Sequence, residues 1–139
     1  MRAIFRCDAS LLIGSGHVMR CRILARQLKM QGFEIIFICR ELSGSLIHLL
    51  QNEFRVLRLP PLELSDVSGL EGRELYMSWL GCSPSQDVYD CLTAMSSSSV
   101  DSFDWLIIDH YGIDAFWTNS LLDGLSASSR RPKLLVIDD

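Results

Sequence analysis

Five short apolar runs punctuate this chain, and segments of helical spacing follow most of them. RAIFRC (2–7), EIIFIC (34–39), RVLRL (55–59), DWLIID (104–109) and KLLVID (133–138) each have the length of a strand. They are largely continuous rather than alternating, as expected of strands covered on both faces. From Gly16 the apolar residues Val18, Cys21, Leu24, Ala25 and Leu28 recur at helical spacing, and Gly32 follows as a terminating glycine. SGSLIHLLQNE (43–53) predicts a short helix and DAFWTNSLLDGL (114–125) another. In SPSQDVYDCLTAM (83–95), Ser83 is a cap, Pro84 suits the first turn, and Gln86 completes a capping box. Its inner stripe is Val88, Cys91, Leu92 and Met95. Residues 62–82 show no clear period and read as a long connection with some helix, and SSSS (96–99) reads as a solvated loop. Strand and helix alternate throughout, which predicts a doubly wound α/β domain with right-handed crossovers and a parallel sheet of order 3-2-1-4-5. No internal repeat or second domain is visible.

Composition narrows the class without naming a chemistry. The 139 residues suffice for one domain with a real core. A net charge of −4, spread without runs, suits neither a nucleic-acid nor an anionic-membrane surface. No apolar stretch approaches the ~20 residues a bilayer crossing needs, and MRAIFRCDAS is too briefly apolar for a secretory signal. The five cysteines lack C-x-x-C spacing and mostly fall in apolar patterns, so they read as reduced core thiols of a cytoplasmic protein.

The predicted topology dictates where a site must lie. Ligands of such sheets sit beyond the carboxyl ends of strands 1 and 4, where the winding reverses. Strand 1 runs into DASLLIGSGH and strand 4 into DHYGID, the two chemically richest loops of the chain. Gly14 and Gly16 let backbone approach a ligand, and Ser15 adds a hydroxyl. The helix mouth behind them favours anionic oxygen, and there His17 is biased toward the neutral imidazole that a general base requires. Asp8 or Asp109 orients its other nitrogen. The competing reading makes His17 a helix-terminal residue bonded to a nearby loop. Tyr111 is a candidate ligand contact, His110 satisfies backbone or joins the site, and His48 is structural. Asp138 and Asp139 face the crevice or cap a following helix.

Several motifs are missing. After Gly14 and Gly16 the third dinucleotide glycine is replaced by Met19, and Glu41 alone is weak support for a ribose contact. There is no G-K-[ST], no nucleophile elbow and no metal-ligand cluster. Neither cofactor nor metal is expected.

With these loops in view, the chain resembles the UDP-2,4-diacetamido-2,4,6-trideoxy-β-L-altropyranose hydrolases of pseudaminic acid biosynthesis. The resemblance lies in RCDAS (6–10), IGSGHVMRC (13–21), FICRELSGSLI (37–47), WLG (79–81), QD (86–87), DWLIIDHYGID (104–114) and LLVIDD (134–139). It implies the amino-terminal, Rossmann-like lobe of a two-lobed GT-B fold. It further implies hydrolysis of a UDP-linked amino sugar by water attack at the anomeric carbon, with inversion and without a metal. The family's catalytic histidine falls on His17 and its substrate-contacting tyrosine on Tyr111, with Gly14, Ser15, Gly16, Asp8 and Asp109 around them as candidate substrate-binding residues.

In that family a second lobe grips most of the nucleotide, and this chain is expected to lack it, ending where that half should begin. By itself it is expected to bind UDP-sugar weakly and turn over negligibly. Two other readings stand beside this one. One is a related GT-B glycosyltransferase lobe, whose acceptor hydroxyl replaces water. The other is a non-catalytic domain that acts by association, through an exposed apolar face or with itself.

Overall fold

In a computed structural model of the chain, every apolar run named above becomes a strand of one sheet. Residues 1–64, 66–125 and 130–138 are described. In chain order the elements are β1 (Arg2–Cys7), α1 (Gly16–Met30), β2 (Glu34–Arg40), α2 (Ile47–Gln51), β3 (Arg55–Leu59), α3 (Gly72–Ser78), α4 (Pro84–Ser97), β4 (Trp105–Asp109), α5 (Ala115–Asp123) and β5 (Lys133–Val136). The sheet runs β3-β2-β1-β4-β5 with every pairing parallel. The expected doubly wound, Rossmann-like order is therefore the observed one.

Strand alternation sorts the side chains into two layers. Ala3, Phe5 and Cys7 join Phe37, Phe54, Val18, Cys21 and Ala25 beneath α1 and α2. Ile4, Ile36, Ile38 and Ile108 face α4 and α5, where Val88, Cys91, Met95, Trp117 and Leu121 complete the second layer. Phe5 stacks on Phe37 with centroids 4.9 Å apart. All five cysteines are free, and four are buried in these layers.

Helix ends follow local chemistry with one departure. Asp114 accepts from the Trp117 amide to open α5, and Ser83 accepts from the Gln86 amide to open α4. The Gln86 side chain does not close the box, however: it reaches forward to Asp90 at 2.9 Å. A carboxylate one turn ahead is the stronger acceptor for its amide. The helix predicted over 43–53 is confined to Ile47–Gln51, because residues 43–46 turn to bring the Ser43 carbonyl to the Leu11 amide. The SSSS run divides, with Ser96 and Ser97 inside α4 and Ser98 capping it.

The second layer ends in charge. Arg6 continues the Ile4 stripe and Arg40 the Ile36–Ile38 stripe, and neither guanidinium reaches solvent. Arg6 pairs with Asp8 at 2.7 Å and with Asp87 of α4 at 2.8 Å. Arg40 meets Asp87 at 2.7 Å and Asp90 at 3.0 Å. Trp117 adds its indole N–H to Asp87 at 2.8 Å. This network clamps the carboxyl ends of β1 and β2 to α4, directly under the predicted site.

At the opposite flank β5 is exposed along its length, with Leu134, Leu135 and Val136 all open to solvent. No helix among the described residues is long and apolar enough to cross a membrane.

Candidate active site

The register that pairs Cys7 with Asp109 brings the two loops together. Because Cys7 faces α1, so does Asp109, and the residue just past each strand, Asp8 or His110, faces the opposite layer. This alternation decides which carboxylate serves His17. The contact is with Asp109, whose Oδ1 lies 2.5 Å from Nδ1. Asp8 turns instead to Arg6, to the Arg40 amide at 2.8 Å and to His110 at 2.9 Å.

His17 occupies the first turn of α1, after Ser15, whose hydroxyl caps nothing. The leading N–H groups of the helix therefore lack a side-chain acceptor. Gly14, Ser15 and Gly16 are all exposed in front of them. Gly14 has φ +85, which favours glycine, and its amide closes a turn onto the Ser10 carbonyl at 2.8 Å. The Ser10 hydroxyl takes the amides of Leu12 and Ile13, so the loop is pinned from within.

Asp109 is held from two sides. Arg20, one turn along α1, forks onto both carboxylate oxygens, with Nη2 2.7 Å from Oδ1 and Nε on Oδ2. Burial pushes the Asp109 carboxyl up, but the hydrogen bonds from Arg20 and His17 outweigh it and hold the group below the usual carboxylate range. An ionised carboxylate only accepts, so Nδ1 of His17 is the donor in this contact, and in the neutral tautomer it selects the lone pair lies on Nε2. Nε2 has no hydrogen-bond partner among the described residues.

An aromatic wall closes around that ring. Tyr111 meets it edge-on with centroids 4.6 Å apart, and Trp79 stands at 6.2 Å. Tyr76 touches both, at 5.2 Å from Tyr111 and 5.0 Å from Trp79. Tyr76 and Trp79 come from α3 and its cap, within the segment that shows no periodicity. The WLG stretch of the resemblance, which includes Trp79, and the aromatic residues themselves were the signals available there. Tyr76 and Tyr111 also line an open cleft of about 450 Å³, together with His110, Ile113, Val136, Ile137 and Asp138. His48 is exposed on α2, away from these loops, and Asp139 lies outside the described residues. Glu41 is paired with Arg58 rather than presented to the cleft.

Three buried carboxylates beneath or within the site make its stability acid-sensitive. Burial raises Asp8 and Asp87, but Arg6 and its neighbours reverse the effect and depress both, as Arg20 and His17 depress Asp109. A depressed carboxylate contributes stability that is complete above its unfolded pKa of about 3.9 and is lost as pH falls through the folded value. The urea midpoint should therefore fall progressively as the pH drops below about 4. A midpoint that holds constant over that range contradicts the assignment.

No protein-family model matches the chain. The chain is 31% identical over 113 residues to the UDP-2,4-diacetamido-2,4,6-trideoxy-beta-L-altropyranose hydrolase of Campylobacter jejuni subsp. jejuni serotype O:2, strain ATCC 700819 / NCTC 11168. That match covers 81% of this chain and 29% of the hydrolase, so the chain spans less than a third of its relative's length. A Rossmann-like domain carrying His17, Asp109 and Tyr111 at the sheet's switch point is thus distantly similar to part of a nucleotide-sugar hydrolase.

Proposed function

We propose that this domain is the base-carrying, amino-terminal lobe of an enzyme that hydrolyses a UDP-linked diacetamido-trideoxyhexose. The observation that carries the reading is the His17–Asp109 contact through Nδ1, which reserves Nε2 as a base beside Tyr111. A water oxygen attacks the anomeric carbon and gives its proton to Nε2. The bond from that carbon to the UDP oxygen breaks, UDP leaves with the electron pair, and the sugar's configuration inverts. UDP is a good leaving group, so the protein need supply little acid. What it supplies is an oriented water and a base, worth roughly 10²–10⁴-fold, with positioning adding the rest. Tyr111 and the aromatic wall hold the sugar, the Gly14–Gly16 backbone admits it closely, and a second lobe grips most of the nucleotide.

The test is an assay in ¹⁸O-water with a UDP-linked 2,4-diacetamido-2,4,6-trideoxyhexose. It is made on the chain alone and on the chain complemented by the remainder of the Campylobacter hydrolase. Complemented activity with label in the free sugar is expected, and negligible turnover by the chain alone. Label in UDP would place the attack at phosphorus, and sugar passed to an acceptor would make the domain a glycosyltransferase lobe. A second reading, a domain acting only by association, draws on the exposed Leu134, Leu135 and Val136 of β5. Self-association in sedimentation with no UDP release in either form favours it.

A further inference from the structure

We infer that His110 is a positioning residue, whose ring holds the turn after β4 so that Tyr111 meets His17. Its purpose rests on the proposed function, but its geometry stands apart from it. The ring is buried and both nitrogens are engaged. The Gly112 amide donates to Nδ1 at 3.0 Å, and Asp8 Oδ2 lies 2.9 Å from Nε2. A backbone N–H can only donate, so Nδ1 must present a lone pair. The proton therefore sits on Nε2 and is given to the Asp8 carboxylate. The two histidines that flank Tyr111 in this site thus have opposite tautomers, each imposed by its own aspartate and, for His110, by the backbone as well.

The anchor behind this contact is rigid. Asp8 is fixed by Arg6 and by the Arg40 amide, and Arg6 and Arg40 are both tied to Asp87. The turn in front is equally constrained. A Cβ on Gly112 would lie 2.9 Å from His110 Cε1 and 2.9 Å from the Tyr76 carbonyl oxygen. Only a bare backbone lets the ring and the end of α3 close on the same point. One imidazole therefore sets the height of Tyr111, on its own turn, and the seat of Tyr76, across Gly112. A proton on Nδ1 would set two N–H groups against each other and release the Gly112 amide. Among the described residues, Asp8, just past β1, bonds the ring directly, Arg6, Arg40 and Asp87 lie behind Asp8 in the buried network, and Tyr76, Tyr111 and Asp138 line the same cleft as His110.

The experiment uses the isotopically labelled chain and needs no turnover. Long-range ¹H–¹⁵N spectra of the imidazoles at neutral pH should show His110 protonated on Nε2 alone. The Gly112 amide should exchange slowly. In His110→Phe, which keeps the volume and loses both bonds, Gly112 exchange should rise at least tenfold and the Tyr111 ring signals should move, while β1 and β4 amides stay protected. His110→Gln, whose amide spans a similar donor–acceptor distance, should restore both. Protonation of His110 on Nδ1, alone or together with Nε2, overturns the proposal, as does an unchanged Gly112 and Tyr111 in the phenylalanine variant. Should that variant fail to fold, the native ring spectrum still decides. Failure of the hydrolase assay with these spectra intact rejects the proposed reaction and leaves this positioning role standing.

Discussion

His17→Asn should reduce UDP release by the complemented enzyme by roughly 10²–10⁴-fold, the range expected for loss of a general base. Asparagine is the informative replacement, because its side-chain amide can donate to Asp109 much as Nδ1–H does. The Asp109 carboxylate thus keeps a donor, Arg20 keeps its fork, and α1 keeps its seat. What disappears is Nε2 and its lone pair. The denaturation midpoint should stay near the native value while kcat collapses, and KM should change little, since the proposed reaction gives His17 the water and leaves the sugar to other residues. Near-native kcat in this variant would reject His17 as the base.

The largest loss of stability is expected not at the site but beneath it, from Asp87→Ala. Asp87 has no accessible surface and accepts from Arg6 Nε and Nη2, from Arg40 Nη2 and from the Trp117 indole. Its removal leaves all these donors in a sealed layer. Arg40 can tolerate little further loss, because its buried Nε already lacks a partner among the described residues. Breaking a buried ion pair by removing one partner costs about 3–5 kcal/mol, against a total near 5–15 kcal/mol for a domain. Urea unfolding should show the loss directly. Asp87→Asn, which keeps acceptor and shape but not charge, should fall between native and alanine. An alanine variant within about 1 kcal/mol of native would mean the network contributes nothing net.

These two residues mark the border of what was legible in the amino-acid order. His17 stood out because it follows two glycines at the mouth of a helix, in a loop that a parallel sheet must bring to its switch point. The strand order was legible for a similar reason, since continuous apolar runs separated by helical stripes admit few topologies. The choice between Asp8 and Asp109 was not legible, because it rests on the register that pairs Cys7 with Asp109 and on which layer Cys7 faces. Asp87 was not legible, because an acid in the first turn of a capped helix ordinarily greets solvent and the helix dipole. Its burial depends on Arg6 and Arg40 arriving from two strands, a coincidence no local pattern encodes. Tyr76 escaped, and Trp79 entered only through the WLG resemblance and with no role, because α3 is short and has no buried face of its own. Only its docking against Tyr111 gives those rings a place.

That docking has an optical consequence. Trp117 is sealed in the core, and Trp105 sits at the amino-terminal end of β4 beneath the Lys133 ammonium. Trp79 is left as the half-buried indole beside His17. A guest settling against the wall strips water from that fluorophore while the other two keep their surroundings. The molecule therefore carries its own unlabelled gauge of occupancy, read as a blue shift in emission whether or not any bond is broken.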